Sequence, residues 1–151
     1  MRIKLTVSYD GTAYCGWQIQ PNGVTVQQTV EKAIELATGE KVKVVGSGRT
    51  DAGVHAIGQV AHFDTQSSIP PQKFYKAINA HLPSDIRAIN SQEVDNFDAR
   101  KSAKKKTYCY TLYFSEVELP LKERFAAHID KLPNVEKIQD AAKLFVGEHD
   151  F

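Results

Sequence analysis

The chain has two cysteines, one methionine and one tryptophan in 151 residues, and each scarcity narrows what it can be. Cys15 and Cys109 lie far apart and neither belongs to a C-x-x-C pair. That argues against a disulfide framework and a thiolate zinc site, so both are expected as reduced thiols, with no metal. No stretch approaches the roughly 20 apolar residues that a membrane helix needs, and no membrane partner is expected. Met1-Arg2-Ile3-Lys4 reads as the start of a strand instead of a signal peptide, which makes the cytoplasm the expected compartment. A bias of one charge sign is missing too: 19 Lys and Arg stand against 18 Asp and Glu, a net charge of +1. Composition alone therefore does not announce a nucleic-acid binder. Low-complexity tracts and short-period repeats are also absent.

What is present, 42% hydrophobic and 25% charged residues, is the makeup of a soluble globular domain with a real core. Positive charge is gathered locally: Arg100, Lys101, Lys104, Lys105 and Lys106 crowd together without an acidic residue among them. Such a run is most often a solvated loop, and it also suits phosphate tracking along a nucleic-acid backbone.

Ile3, Leu5, Val7 and Tyr9 alternate with Lys4, Thr6 and Ser8, the period of a strand with one buried face, which Asp10-Gly11 ends. Thr25 followed by Gln28 forms a capping box, and Val26, Val30, Ala33, Ile34 and Ala37 recur at helical spacing until Gly39. Val42 and Val44 predict a second strand, and residues 59–63 a third paired with it, so the glycine-rich turn from Gly46 to Gly53 joins two strands. Pro70 and Pro71 suit a helix start, with Phe74, Tyr75, Ile78 and Leu82 on its apolar face and Pro83 closing it. Residues 86–94 supply a fourth strand. The order β-α-β-β-α-β is the split-βαβ or ferredoxin-like unit of the α+β class, with both helices on one face of an antiparallel sheet. A fifth strand is predicted from Tyr108 to Phe114, and a helix on Val135, Ile138, Ala142 and Phe145. Together they look like an incomplete second unit of similar kind, and a truncated fragment is expected.

The turn at Gly46, Gly48 and Gly53 invites a phosphate-loop reading that fails on particular residues. A G-x-G-x-x-G fingerprint needs glycine where Asp51 stands, and a P-loop needs Lys then Ser or Thr where Val54 and His55 stand. A plain hairpin-like connection, with Asp51 bonding the backbone, is the ordinary alternative. Against it stands the sequence Arg49-Thr50-Asp51: a permanently charged guanidinium just before a carboxylate in a stiff turn. His55 and His62 have no carboxylate or thiol at ligand spacing and are expected to be structural. His149-Asp150 resembles the dyad of metal-dependent phosphohydrolases without the rest of that constellation, and Ser47 has no triad pattern around it.

Gly48-Arg49-Thr50-Asp51-Ala52-Gly53-Val54-His55-Ala56 resembles the active-site motif of the TruA family of tRNA pseudouridine synthases. The similarity continues in Tyr9-Asp10-Gly11-Thr12, Tyr14-Cys15-Gly16-Trp17-Gln18, Gly58-Gln59-Val60, Asn79-Ala80-His81-Leu82-Pro83, Phe97-Asp98-Ala99-Arg100 and Tyr108-Cys109-Tyr110, in the family's order. The resemblance implies an isomerase that breaks the uridine N1 to C1′ bond, rotates the base and rejoins it through C5 in the anticodon arm of tRNA, with no cofactor. It implies that Asp51 is the essential aspartate, that Arg49 is catalytic with it, contacting the RNA and helping to expel its stem, and that Tyr108 lies against the uracil. It also implies that Phe97, Asp98, Ala99, Arg100, Lys101, Lys105 and Lys106 grip tRNA, and that the working form is a homodimer. On that basis residues 1–96 form a ferredoxin-like subdomain with the aspartate loop, 97–106 a basic RNA-contacting linker, and 107–151 the start of a second subdomain. The His-Asp-Phe ending at Phe151 is a family segment as well, and the family's second half supplies a further arginine that pairs with the aspartate.

A carboxylate of ordinary pKa, about 3.9, is ionised at neutral pH and can act as nucleophile or base without an activating partner. Attack on sugar or base and removal of the ribose 2′ proton all remain open for Asp51. Extruding the uridine costs a few kcal/mol, and stacking on an aromatic such as Tyr108 returns about 1–3 kcal/mol. Without the family pattern Tyr108 reads as one more sheet-face aromatic beside Tyr110. A non-catalytic ferredoxin-like RNA-binding module is the rival reading; it leaves Arg49-Thr50-Asp51 unexplained.

Overall fold

A computed structural model describes residues 1–150, and its internal contacts divide the chain into a unit spanning Met1–Lys106 and a second beginning at Thr107. The first unit runs β1 (Arg2–Tyr9), α1 (Val26–Thr38), β2 (Val45–Gly46), β3 (Ala56–Asp64), α2 (Phe74–Asn79) and β4 (Ile86–Glu93). Its four strands form one antiparallel sheet in the order β2-β3-β1-β4. This is the β-α-β-β-α-β arrangement of the α+β ferredoxin-like class. The alternation in β1 is carried through: Ile3, Leu5, Val7 and Tyr9 are buried and the residues between them are half-buried. They pack with Val26, Val30 and Ile34 of α1, Phe63 of β3, Phe74 and Ile78 of α2 and Ile86 of β4. Both neighbours of β1 slip register, between Val7 and Tyr9 against β3 and between Thr6 and Val7 against β4, whereas β1 itself stays regular.

The first helix starts and stops where its sequence says it should. Thr25 Oγ accepts from the Gln28 amide at 3.4 Å, and Gly39, at φ 77°, closes it with a bond from its amide to the Glu35 carbonyl. The second strand begins later than Val42, and the reason is local. Buried Val44 donates its amide to Glu31 Oε1 at 2.9 Å and accepts Gln27 Nε2 on its carbonyl at 3.0 Å, so α1 takes the groups a sheet ladder would use. The second helix opens with a 3₁₀ turn at Pro71–Lys73 and ends at Asn79. The Asn79 side chain then bonds both backbone groups of Ala88 at 2.8 Å, tying the helix end to β4.

The second unit holds β5 (Leu112–Phe114), β6 (Ala127–Ile129) and α3 (Val135–Lys143). Here β5 and β6 pair in parallel, with Tyr113 opposite His128. The predicted strand is thus shorter, beginning at Leu112 rather than Tyr108. Tyr113 is buried, stacks at a tilt on His128 at 5.2 Å, and accepts the Leu119 amide on its hydroxyl at 2.9 Å. Asn134 caps α3 through the Lys137 amide at 3.0 Å. Among the described residues no helix is long and apolar enough to cross a membrane.

Candidate active site and basic cleft

The aspartate loop joins β2 to β3 and lies against the segment that follows β1. Its backbone is held from that segment at two points: the Trp17 amide donates to the Thr50 carbonyl at 3.1 Å, and the Gly53 amide to the Tyr14 carbonyl at 3.2 Å. Within the loop, the Val54 amide closes a turn on the Asp51 carbonyl at 3.2 Å, with Gly53 at φ 80°. The approach is so close that a Cβ on Gly11 would stand 2.0 Å from the Val54 oxygen, and one on Gly16 2.3 Å from the Thr50 oxygen. His55 fixes the far end: its Nδ1 accepts the Gly11 amide at 3.1 Å and lies 3.1 Å from Asp10 Oδ1. Every one of these bonds leaves the Asp51 carboxylate exposed and, among the described residues, unengaged.

The base of this support reaches the start of β4, the far edge strand of the sheet. Tyr14 donates its hydroxyl to Asp85 Oδ1 at 2.8 Å, and the Asp10 amide bonds the Asp85 carbonyl at 2.9 Å. Burial first, and then the bond to a carboxylate, push the Tyr14 phenol well above its ordinary pKa, so it stays a donor.

A cleft of about 570 Å³ opens beside the loop, lined by Trp17, Gln27, Glu31, Lys43, residues 44–49, Arg100 and Lys106 among others. Four cations face it against one carboxylate, and Glu31 already accepts Gln27 Nε2 and the Val44 amide. The cleft therefore favours an anion. Arg49, Arg100 and Lys106 are brought together here; Asp51 lies two residues along the loop from Arg49 and does not line it. Lys105 lines a smaller hollow of about 220 Å³ with Lys4 and Phe97, and Lys101 is exposed outside both. Tyr108 belongs to the second unit and is 75% exposed.

The segment from Phe97 to Lys101 is a built turn. Asp98 Oδ1 accepts the Arg100 and Lys101 amides at 2.9 Å each, which holds its carboxyl below the usual range. Ala99 is buried and donates its amide to His62 Nδ1 at 3.1 Å, Phe97 meets the His62 ring edge-on at 6.0 Å, and Arg2 donates to the Phe97 carbonyl at 2.8 Å. Phe97, Asp98 and Ala99 thus shape the turn from which Arg100 reaches the cleft.

Burial, followed by the Arg2 charge, lowers the His62 pKa, and the Ala99 amide needs an unprotonated ring nitrogen. A depressed folded pKa gives stability that is present above the unfolded value, about 6.5, and is lost as pH falls through the folded one. The midpoint of urea unfolding is expected to drop between pH 7.5 and 5.5, and His62→Asn, which keeps an acceptor, to flatten that slope.

Lys43, Gln27 and Glu31 escape a motif search, although polar Gln27 and Glu31 four residues apart on an otherwise apolar helix face signal a built contact. Among the described residues no group of three or more His, Cys, Asp or Glu could hold a metal ion.

A ferredoxin-like α+β unit that projects a carboxylate from a clamped loop beside a cationic cleft is the class of protein that the fold and this site define. The family model described as tRNA pseudouridine synthase matches residues 5–102, and the chain belongs to that family. It is 50% identical over 150 residues to tRNA pseudouridine synthase A 2 of Clostridium perfringens. It is 51% identical over 151 residues to tRNA pseudouridine synthase A of Ruminiclostridium cellulolyticum, and 48% over 150 to that of Geotalea daltonii. Each match covers 99% of this chain, which spans 62% of the length of these relatives.

Proposed function

We propose that this chain is part of an enzyme that isomerises uridine to pseudouridine in the anticodon arm of tRNA, with Asp51 as the reacting carboxylate. The observation that carries this reading is the clamped loop: its backbone is fixed on both sides while the Asp51 side chain is left exposed and, among the described residues, unengaged. A group held this way is preorganised for chemistry on a nucleotide that has left its stack. The N1 to C1′ bond breaks, a C5 to C1′ bond forms, and the C5 proton passes to solvent and is replaced at N1, so the reaction balances without a redox partner. Arg49, Arg100 and Lys106 neutralise phosphates, and the working form is a homodimer of the longer polypeptide.

Tritium release from tRNA carrying C5-labelled uridine tests the reaction. The full-length protein is expected to release label from the anticodon arm, and the 151-residue stretch alone to release little. No release by the full-length protein, with tRNA still bound, would leave an RNA-binding module in place of an enzyme.

The cleft makes a separate prediction. Replacing Arg100 or Lys106 by Ala should weaken tRNA binding and lower the slope of log K against log salt by about 0.7–0.9 for each phosphate that is no longer neutralised. Filter binding across a potassium chloride series reads both quantities.

A further inference from the structure

Tyr9 is 4% exposed, at the end of the central strand. Packing alone would be served by phenylalanine, yet its hydroxyl lies 2.9 Å from Thr50 Oγ1, its one hydrogen-bond partner among the described residues. Thr50 immediately precedes Asp51, and its carbonyl is the acceptor of the Trp17 amide. The Tyr9 ring in turn lies 6.0 Å from the Trp17 ring, and the Trp17 indole presses so closely on Gly46 that a Cβ there would stand 2.5 Å from Nε1. Tyr9 and Trp17 therefore touch both limbs of the loop, at Gly46 and at Thr50. Thr50 is held at two atoms, one on its side chain and one on its backbone, which restrains the peptide that carries Asp51.

We propose that Tyr9 is a positioning residue for the reaction, acting through its hydroxyl pair with Thr50 to fix the place of the backbone from which the Asp51 carboxylate projects. The inference rests on the reading of Asp51 as the reacting group. Burial raises the Tyr9 phenol above its ordinary pKa, so the hydroxyl keeps its proton throughout the physiological range. A tether made this way constrains geometry without contributing charge to the site. Its loss should therefore appear in turnover and leave substrate binding alone.

The test uses the full-length enzyme, with tritium release for kcat and KM, filter binding for tRNA affinity, and thermal unfolding as a control. Tyr9→Phe and Thr50→Val are each expected to lower kcat by about ten- to a hundredfold, the range produced by misplacing a reacting group by up to an ångström. KM and tRNA affinity should stay near their starting values. Because both substitutions cut the same bond, the double variant should be no slower than the slower single one. Thr50→Ser, which keeps the hydroxyl, should recover most of the loss. The proposal is overturned if Tyr9→Phe turns over at the original rate, if its loss only tracks the fraction unfolded, or if the two single effects multiply. Asp51→Ala run in parallel separates the two ideas. An active Asp51→Ala enzyme removes the reading of Asp51, while an inactive one beside a fully active Tyr9→Phe enzyme removes the tether alone.

Discussion

Asp51→Asn in the full-length enzyme is expected to abolish turnover while leaving the fold and tRNA binding in place. The substitution is nearly isosteric. The bonds that shape the loop, from Trp17 to Thr50, Gly53 to Tyr14 and Val54 to Asp51, are all made by backbone atoms that asparagine keeps. An exposed replacement away from buried contacts usually changes stability by less than about 0.5 kcal/mol. What disappears is the charge and lone-pair basicity of the carboxylate. Loss of a group that transfers a proton costs about 10²–10⁴ in rate, and a covalent role would cost at least that much. Single-turnover tritium release at saturating enzyme reads the chemical step, and filter binding reads the affinity. A rate within tenfold of the original enzyme would show that the carboxylate is dispensable.

The largest effect on stability is expected at Phe63. It is 1% exposed, on the strand beside β1, and meets the fully buried Phe74 ring edge-on at 5.7 Å. Phe63→Ala removes that aromatic pair and leaves a cavity between sheet and helix, at a cost of about 3–5 kcal/mol. Since domains are stable by only about 5–15 kcal/mol, this unit is brought close to unfolding. Phe63→Leu keeps most of the volume and should cost distinctly less. The shift in urea midpoint for each variant checks the ordering, and a cost below about 1 kcal/mol for alanine would contradict the packing described.

Both effects fall on residues that differ in how openly the sequence displays them. Phe63 ends the segment 59–63 that reads as a strand, and the alternation of Ile3 to Tyr9 shows which face of β1 it joins. Thr25 and Gly39 mark the ends of α1 through local chemistry that needs no tertiary partner. The order of elements in the first unit, and hence the fold class, follows from such local signals. The support of the Asp51 loop does not. Tyr9 and Thr50 are 41 residues apart, and in the sequence Tyr9 is only the last member of an alternating run. In the sequence Gly11 only ends the first strand and Gly16 only stands within a motif, whereas the structure uses both to let two backbones meet. The basic run is visible as charge, but nothing in it separates Arg100 and Lys106, which face the larger cleft, from Lys101, which does not. In the second unit, Ala127–Ile129 is too short to show a period of two, so its parallel pairing with β5 leaves no sequence trace.

The register slips beside β1 bear on which changes of chain length the first unit can absorb. Strand neighbours with an extra residue open a bulge and bend, and the pair of slips lies toward the Tyr9 end of β1. An insertion or deletion in β3 or β4 near those slips can be taken up by widening or closing a bulge. One residue removed from β1 between Ile3 and Tyr9 has no such outlet, because alternation reverses every side chain beyond it. Ser8 would then point into the core, and the phenol of Tyr9 would turn to the outer face, away from Thr50. The length of that single strand is thus fixed by parity, while the strands flanking it are free to drift.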